Sequence, residues 1–480
     1  MKLVKLSLVA MLAAGMAQAY DTPSIDGMIT HGDSVLDTIH DGDKKNGEIF
    51  GQARSFYVDR TYLYANGSTN NRNAWAAGGY IGYTTPDFNG FSATAAVYGT
   101  YAFEIHDQSL EDDFRDGLGT TRYDPSLQGY NGDNYTFIGQ AYLKYKTGNT
   151  TLKAGRMRLD TPLAGADDAR MLPNLFEAAL VTNTDIEDTT LIAGHVFRET
   201  VGTFSNVYMK HDLTQPGSML ALHSGYGLGA ELGLSGNFVN MGTIALGDET
   251  QTGLDNSTAG VTAIAAVYSG IEGLKLQAWD YIGWDILNAV YLQADYNYKL
   301  NEDVGIFAAA QYINESDIGT YLERLTGAGI SSNYGAGKIG VKYEGLTAYA
   351  AYSTSGSASG SNNLGTITPW GGMPAFTQGM VTRHMFFANT DAWKVAATYN
   401  FKKLGLNLKA TTYYTSFDVG EENAYSPGNS WTATEAGFDF IYTPESVKGL
   451  QLRFRGNFPR DFSYSGTGWD EYRLIANYNF

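Results

Sequence analysis

Asp470-Glu-Tyr-Arg-Leu-Ile-Ala-Asn-Tyr-Asn-Phe480 is the stretch that decides the fold. Tyr472, Leu474, Ala476, Tyr478 and Phe480 fall at every second position, with Arg473, Asn477 and Asn479 between them. That is the period of a strand with one apolar and one polar face. Ile475 alone is out of phase. A chain that stops on such a strand, with an aromatic residue last, is expected to close a sheet onto its own first strand. Closure leaves no edge, and an edgeless sheet is one of two structures that cross a bilayer with every backbone group paired.

At the other end, Lys2 and Lys5 precede an apolar run over 6–14, and Ala17-Gln18-Ala19 is a small-x-small cleavage site. Residues 1–19 therefore read as a secretory signal peptide and Tyr20 as the mature start. The run is too short for a spanning helix, which needs about 20 apolar residues. Removing the two lysines takes the formal charge from −18 to −20, with 30 basic against 50 acidic residues. That balance argues against nucleic acid as a partner, because phosphate binding needs clustered Lys and Arg. Cysteine is absent, which excludes disulfides and thiolate metal sites. The 57 glycines, 34 tyrosines and 23 phenylalanines make a turn-rich, strand-forming mixture.

No linker divides the chain. One unit repeats instead: a strand of about ten residues, a tight turn, a second strand, then a loop of uneven length. The pattern predicts strands at 47–65, 73–84, 91–103, 135–146, 150–159, 178–183, 189–198, 258–268 and 274–283. It continues at 286–300, 304–314, 335–343, 346–354, 393–401, 406–417, 432–442, 450–458 and 470–480, eighteen in all. Turns at 147–149, 301–303, 344–345 and 402–405 are short, whereas 160–177, 199–257, 315–334 and 355–392 are long. Short periplasmic turns, long external loops and an even strand number describe a bacterial outer-membrane barrel. The connection at 284–285 is short on the long-loop side. Residues 219–226 suggest a protruding hairpin within the longest gap.

The two faces can be assigned. Val290, Leu292, Ala294, Tyr296, Tyr298 and Leu300 oppose Tyr291, Gln293, Asp295, Asn297 and Lys299, and Trp393, Val395, Ala397, Tyr399 and Phe401 oppose Lys394, Thr398 and Asn400. Leu450, Leu452 and Phe454 oppose Gln451, Arg453, Arg455 and Asn457. Reversing that strand would turn two arginines toward lipid at ~2–4 kcal/mol each near the midplane. A soluble sandwich shares the alternation, but the aromatic residues at strand ends match interfacial girdles. The expected fold is all-β, an eighteen-stranded antiparallel transmembrane β-barrel over 47–480, preceded by a short periplasmic segment at 20–46. A bore this wide is water-filled unless something narrows it.

Residues 160–177 are the candidate for that constriction. Pro162, Gly165 and Pro173 break a strand, yet Leu163, Met171, Leu172, Leu175 and Phe176 are too apolar for a solvated loop. Folded inward, this third external loop would bury them and present Asp167, Asp168 and Arg170 at the narrowest point. An external cap is the bland alternative. The chain here resembles the OprD-type porins of the bacterial outer membrane, on Lys153-Ala-Gly-Arg156, Thr161-Pro162, Asp168-Ala-Arg170-Met-Leu-Pro173-Asn-Leu-Phe176, Gly51-Gln-Ala-Arg54-Ser-Phe-Tyr57-Val-Asp-Arg60 and Glu471–Phe480. The resemblance implies an eighteen-stranded barrel, monomeric or a loose homotrimer, with the third loop inward and a column of basic wall residues guiding carboxylate-bearing solutes. It implies Arg170 on the loop and a ladder of Arg54, Arg453, Arg455 and Arg473. Alternation independently points Arg453, Arg455 and Arg473 inward and adds Lys338, Lys342, Lys394 and Lys409. The loops at 199–257 and 355–392 depart from the family pattern.

Other chemistry is weaker. The acidic run at 110–116 lacks the spacing of a calcium loop, so solvent or divalent-bridged lipopolysaccharide is its expected partner. His31, His40 and His195 recur at no ligand spacing, and no serine, histidine and orienting partner form a hydrolase signature. The expectation is therefore no enzyme, no metal and no cofactor. It is a passive or weakly substrate-selective diffusion channel for small hydrophilic solutes and ions, lying among outer-membrane lipid and lipopolysaccharide. A surface-exposed structural or adhesive barrel with a closed bore is the competing expectation.

Overall fold

The computed structural model describes residues 47–103, 105, 124–129, 133–203, 206–209, 220–224, 236–247, 249, 255–321, 329–356, 365–423 and 425–480. The signal sequence, residues 20–46 with His31 and His40, and the acidic run 110–116 lie outside them. Eighteen long strands form the wall, numbered here in chain order. They are β1 Glu48–Leu63, β2 Thr69–Thr84, β3 Phe91–Phe103, β4 Tyr135–Thr147, β5 Thr150–Met157, β6 Leu175–Asn183, β7 Thr189–Thr200, β8 Val261–Ile271 and β9 Leu274–Gly283. The second half comprises β10 Leu287–Lys299, β11 Val304–Asp317, β12 Ser331–Tyr343, β13 Leu346–Ser355, β14 Thr390–Asn400, β15 Leu408–Val419, β16 Trp431–Tyr442, β17 Leu450–Arg460 and β18 Gly468–Asn479. Each pairs antiparallel with its sequence neighbour, and β1 pairs with β18.

The closing seam is where the terminal aromatic residue acts. Gly51 and Phe480 exchange backbone hydrogen bonds of 2.9 and 3.1 Å, and the ladder runs on through Arg54↔Asn477 to Leu63↔Gly468. A Cβ at Gly51 would sit 2.6 Å from the Phe480 ring and 2.7 Å from the Tyr80 carbonyl, so only glycine admits this approach. The expected closure is present, and the barrel has no free edge.

Alternation sorts the two faces as the sequence implies. Ile81, Leu143, Ile264, Ile339, Val395 and Leu474 are exposed on the outside, Leu143 and Ile339 each at 66 %. In water that surface would aggregate; against hydrocarbon it is matched. No described helix is long and apolar enough to cross a membrane. Facing inward, Arg54, Arg453, Arg455, Arg473, Gln451, Asn477 and Glu471 are all buried. Ile475, out of phase in the sequence, faces inward with them and packs in an apolar cluster with Phe56, Val58, Tyr98 and Ala96.

Strands run further than alternation suggests on the long-loop side. β2 starts at Thr69 rather than 73, β12 at Ser331 rather than 335, and β11 continues to Asp317 rather than 314. Above the hydrocarbon both faces are polar, so the backbone ladder persists where the hydrophobic signal has stopped. β6 likewise starts at Leu175, so Leu175 and Phe176 are wall residues and not loop residues. Short strands Asn206–Met209 and Leu220–Ser224 pair with each other, at the position expected for a hairpin.

Candidate functional site

Between β5 and β6 the chain leaves the wall because Pro162 and Pro173 have no N–H to pair. The Asp160 carboxylate accepts the Ala166 N–H at 3.0 Å, and Asn174 donates to the Gly165 carbonyl and accepts the Gly202 N–H. Burial raises the Asp160 carboxyl to about 6, opposed by the Arg158 guanidinium 3.6 Å away. The loop's apolar residues then dock. Met171 and Leu172 join Phe56, Val58, Ala96, Tyr98 and Ile475 of the inward wall, each contributing about 1.5–3 kcal/mol of burial.

The same segment is tied down by charge. Arg54 of β1 reaches Asp168 at 2.5 and 3.1 Å and the Arg170 carbonyl at 2.5 Å. Arg158 lies 3.5 Å from Asp168. Arg170 is wholly buried, 3.0 Å from Glu471 of β18 and 3.2 Å from the Ser126 hydroxyl. Glu471 also takes Arg60 at 2.6 Å and Arg473, so one wall carboxylate holds three guanidinium groups. Asp167 is buried, with backbone φ of +37°, beside its paired neighbour Asp168.

A second loop, long in the sequence, makes similar contacts. Residues 365–389 are almost continuously buried. Glu315 of β11 accepts the Ile367 N–H at 2.8 Å, Lys394 of β14 donates to the Gln378 carbonyl at 2.6 Å, and Thr415 of β15 donates to the Thr377 carbonyl at 2.6 Å. Glu435 of β16 accepts the N–H groups of Met380, Val381 and Thr382. The two loops meet where the Gly165 N–H donates to the Trp370 carbonyl at 3.0 Å. Trp370, Met373, Phe376, Met385, Phe386 and Phe387 gave the same signal as the first loop, apolar residues too numerous for solvent.

All eight wall cations of the sequence reading face inward, but they are not one column. Arg455 and Arg473 are direct partners across β17 and β18, and Arg453 and Arg54 flank them. Arg453 and Arg455 both pair with Asp439 of β16, the latter at 3.3 Å. The lysines are spread over other strands. Lys394 engages the second loop, Lys338 lies 4.3 Å from the centre of the Phe376 ring, and Lys342 donates to Asn297 at 3.3 Å. Lys409 stands opposite Asn400 and Ile441.

His195 bonds to Thr262 and the Ala259 carbonyl, an ordinary polar histidine. His384, on the second loop, sits in a box of Phe387, Phe417, Tyr425, Trp431 and Phe462, where burial lowers its pKa to about 4. Among the described residues no three His, Cys, Asp or Glu side chains gather to hold a metal.

A family model described as outer membrane porin, OprD family, matches residues 45–480. Among solved structures, Pseudomonas aeruginosa OccK9 (OpdG) aligns with a TM-score of 0.68 at 18% identity, covering 92% of this chain and 100% of that one. A BenF-like porin from Pseudomonas fluorescens Pf-5 aligns with a TM-score of 0.68 at 17% identity, covering 92% and 100%. Pseudomonas aeruginosa OpdK, solved with vanillate, aligns with a TM-score of 0.64 at 16% identity, covering 90% and 98%. Among curated proteins, none matches.

Proposed function

From the premise that this chain belongs to the OprD family of outer membrane porins, we propose a weakly substrate-selective diffusion pore for small hydrophilic solutes, carboxylate-bearing or zwitterionic ones among them. As a member, it is a channel of the bacterial outer membrane and not an enzyme. In our reading the segment 158–174 is an inward third loop, with Asp167, Asp168 and Arg170 at the constriction and residues 365–389 beside it. Asp168 and Arg170 hold the loop in place, and the arginine cluster of Arg54, Arg453, Arg455 and Arg473 sets the field a solute meets. Lys338, Lys342, Lys394 and Lys409 extend that field along the neighbouring wall. Opposite-signed walls across a narrow eyelet orient a zwitterion and select by charge. The vanillate bound by OpdK, a carboxylate, is consistent with this class. We read residues 1–19 as removed on export, 20–46 as a short periplasmic segment, and the barrel as a monomer or loose homotrimer.

The observation that carries this reading is the register of Arg455 against Arg473, with Arg453 and Arg54 flanking them and Arg54 paired with the loop carboxylate of Asp168. Single-channel recording in planar bilayers tests it, with reversal potential under a salt gradient and current block by a small carboxylate. Discrete steps and carboxylate block that weakens in Arg455→Ala support it. A barrel that passes no current is the closed adhesive type instead, and unaltered block in that variant removes the arginine cluster from the pathway.

A further inference from the structure

We propose that Glu199 and Asp167 form a calcium-class divalent cation site that ties the constriction loop to the β6–β7 wall. The argument begins with strand register. β7 turns Thr190, Ile192 and Val196 inward, so by alternation residue 198 should follow them and residue 199 should face out. A register shift against β6 between Glu177 and Ala178 reverses this. Arg198 goes outward, its side chain 57 % exposed and 3.6 Å from Glu177, and Glu199 opposite Phe176 goes inward to full burial. The bulge thus turns a guanidinium out of the interior and a carboxyl group into it.

That carboxyl group meets another one. The Asp167 carboxylate acts on Glu199, and no basic group does so among the described residues. Among the described residues neither carboxyl oxygen of Glu199 has a hydrogen-bond partner. A buried carboxylate without a counter-charge costs several kcal/mol, and bulges at such positions characteristically re-aim a side chain for a task. The surrounding backbone is fixed on both sides. Thr203 donates its N–H to the Leu172 carbonyl at 3.2 Å, and its hydroxyl accepts the N–H groups of Met171 and Leu172. Two carboxylates are few for calcium, and no third acid or histidine joins them among the described residues, so backbone carbonyls and water supply the remaining oxygens. An ion there gives the loop an attachment to β7 separate from its Arg54 and Glu471 anchors.

The test uses the full-length barrel purified in detergent, stripped with chelator and titrated with calcium alone by equilibrium dialysis. Wild type should bind one more ion per chain than either Glu199→Gln or Asp167→Asn, with an apparent dissociation constant of roughly 10⁻⁴–10⁻³ M, the range of extracellular sites. Heat-modifiable migration confirms that each variant folds, and two variants on different elements guard against loss of one. Chelator should also raise open-channel current noise in wild type and leave it unchanged in Glu199→Gln. Equal calcium binding in all three chains, or none in wild type, overturns the site and leaves a carboxyl pair sharing a proton. Either result leaves the channel reading untouched.

Discussion

Arg170 and Glu471 lie 3.0 Å apart with both side chains wholly buried, one on the segment between β5 and β6 and the other on the closing strand. A residue that the sequence suggested as a solute contact is thereby an anchor. Arg170→Ala leaves Glu471 with two of its three guanidinium partners and empties volume under the loop. Losing one member of a buried pair costs about 3–5 kcal/mol. We expect larger and noisier single-channel current from this variant, with the barrel still folded; conductance equal to wild type would show that the pair does not hold the constriction.

Glu435 offers a second handle. Its carboxylate takes three successive N–H groups of the other loop, including Met380 at 2.6 Å and Thr382 at 2.7 Å. Hydrogen bonds to a charged group contribute about 1.5–3 kcal/mol each. Glu435→Ala should release residues 379–383 to protease added to intact cells, whereas wild type stays uncut there.

Selectivity should respond to the Asp439 pair. Arg453→Ala with Arg455→Ala leaves the Asp439 carboxylate without its two pairing arginines. Reversal potential in a salt gradient should shift toward cation preference by several-fold in permeability ratio. A shift toward anions would refute the assignment of these arginines to the pathway.

His384 predicts a pH dependence whose sign can be worked out. Its pKa is about 4 with the loop docked, against 6.5 in water. Above pH 6.5 it is neutral in both states and costs nothing. As pH falls through 6.5 toward 4, only the undocked loop takes up the proton, so attachment weakens by up to about 3 kcal/mol. Loop proteolysis should accelerate over that window in wild type and stay flat in His384→Phe.

The substitution Gly372→Ala tests the junction of the loops without touching charge. A Cβ there would meet the Leu163 carbonyl carbon and the Pro162 carbonyl oxygen at 2.4 Å. The loops must separate, and conductance should rise with ion selectivity little changed.

Two-residue periodicity, read from Tyr472 to Phe480 and along seventeen other segments, determined the barrel, its closure and which face meets lipid. It could do so because lipid imposes one rule on every second side chain. The apolar residues Leu163, Met171 and Leu172 also marked a segment whose side chains are buried. What the sequence left open was partnership. Lipid selects for hydrophobicity alone, which is local, whereas Arg170 with Glu471, Glu435 with Met380, and Arg455 with Asp439 join residues far apart in the chain. The bulge that swaps Arg198 for Glu199 is equally silent in the sequence, because a one-residue change of register leaves composition intact and alters only the direction each charge faces. Fold class followed from a repeating local pattern; which charges meet was decided only by closing the cylinder.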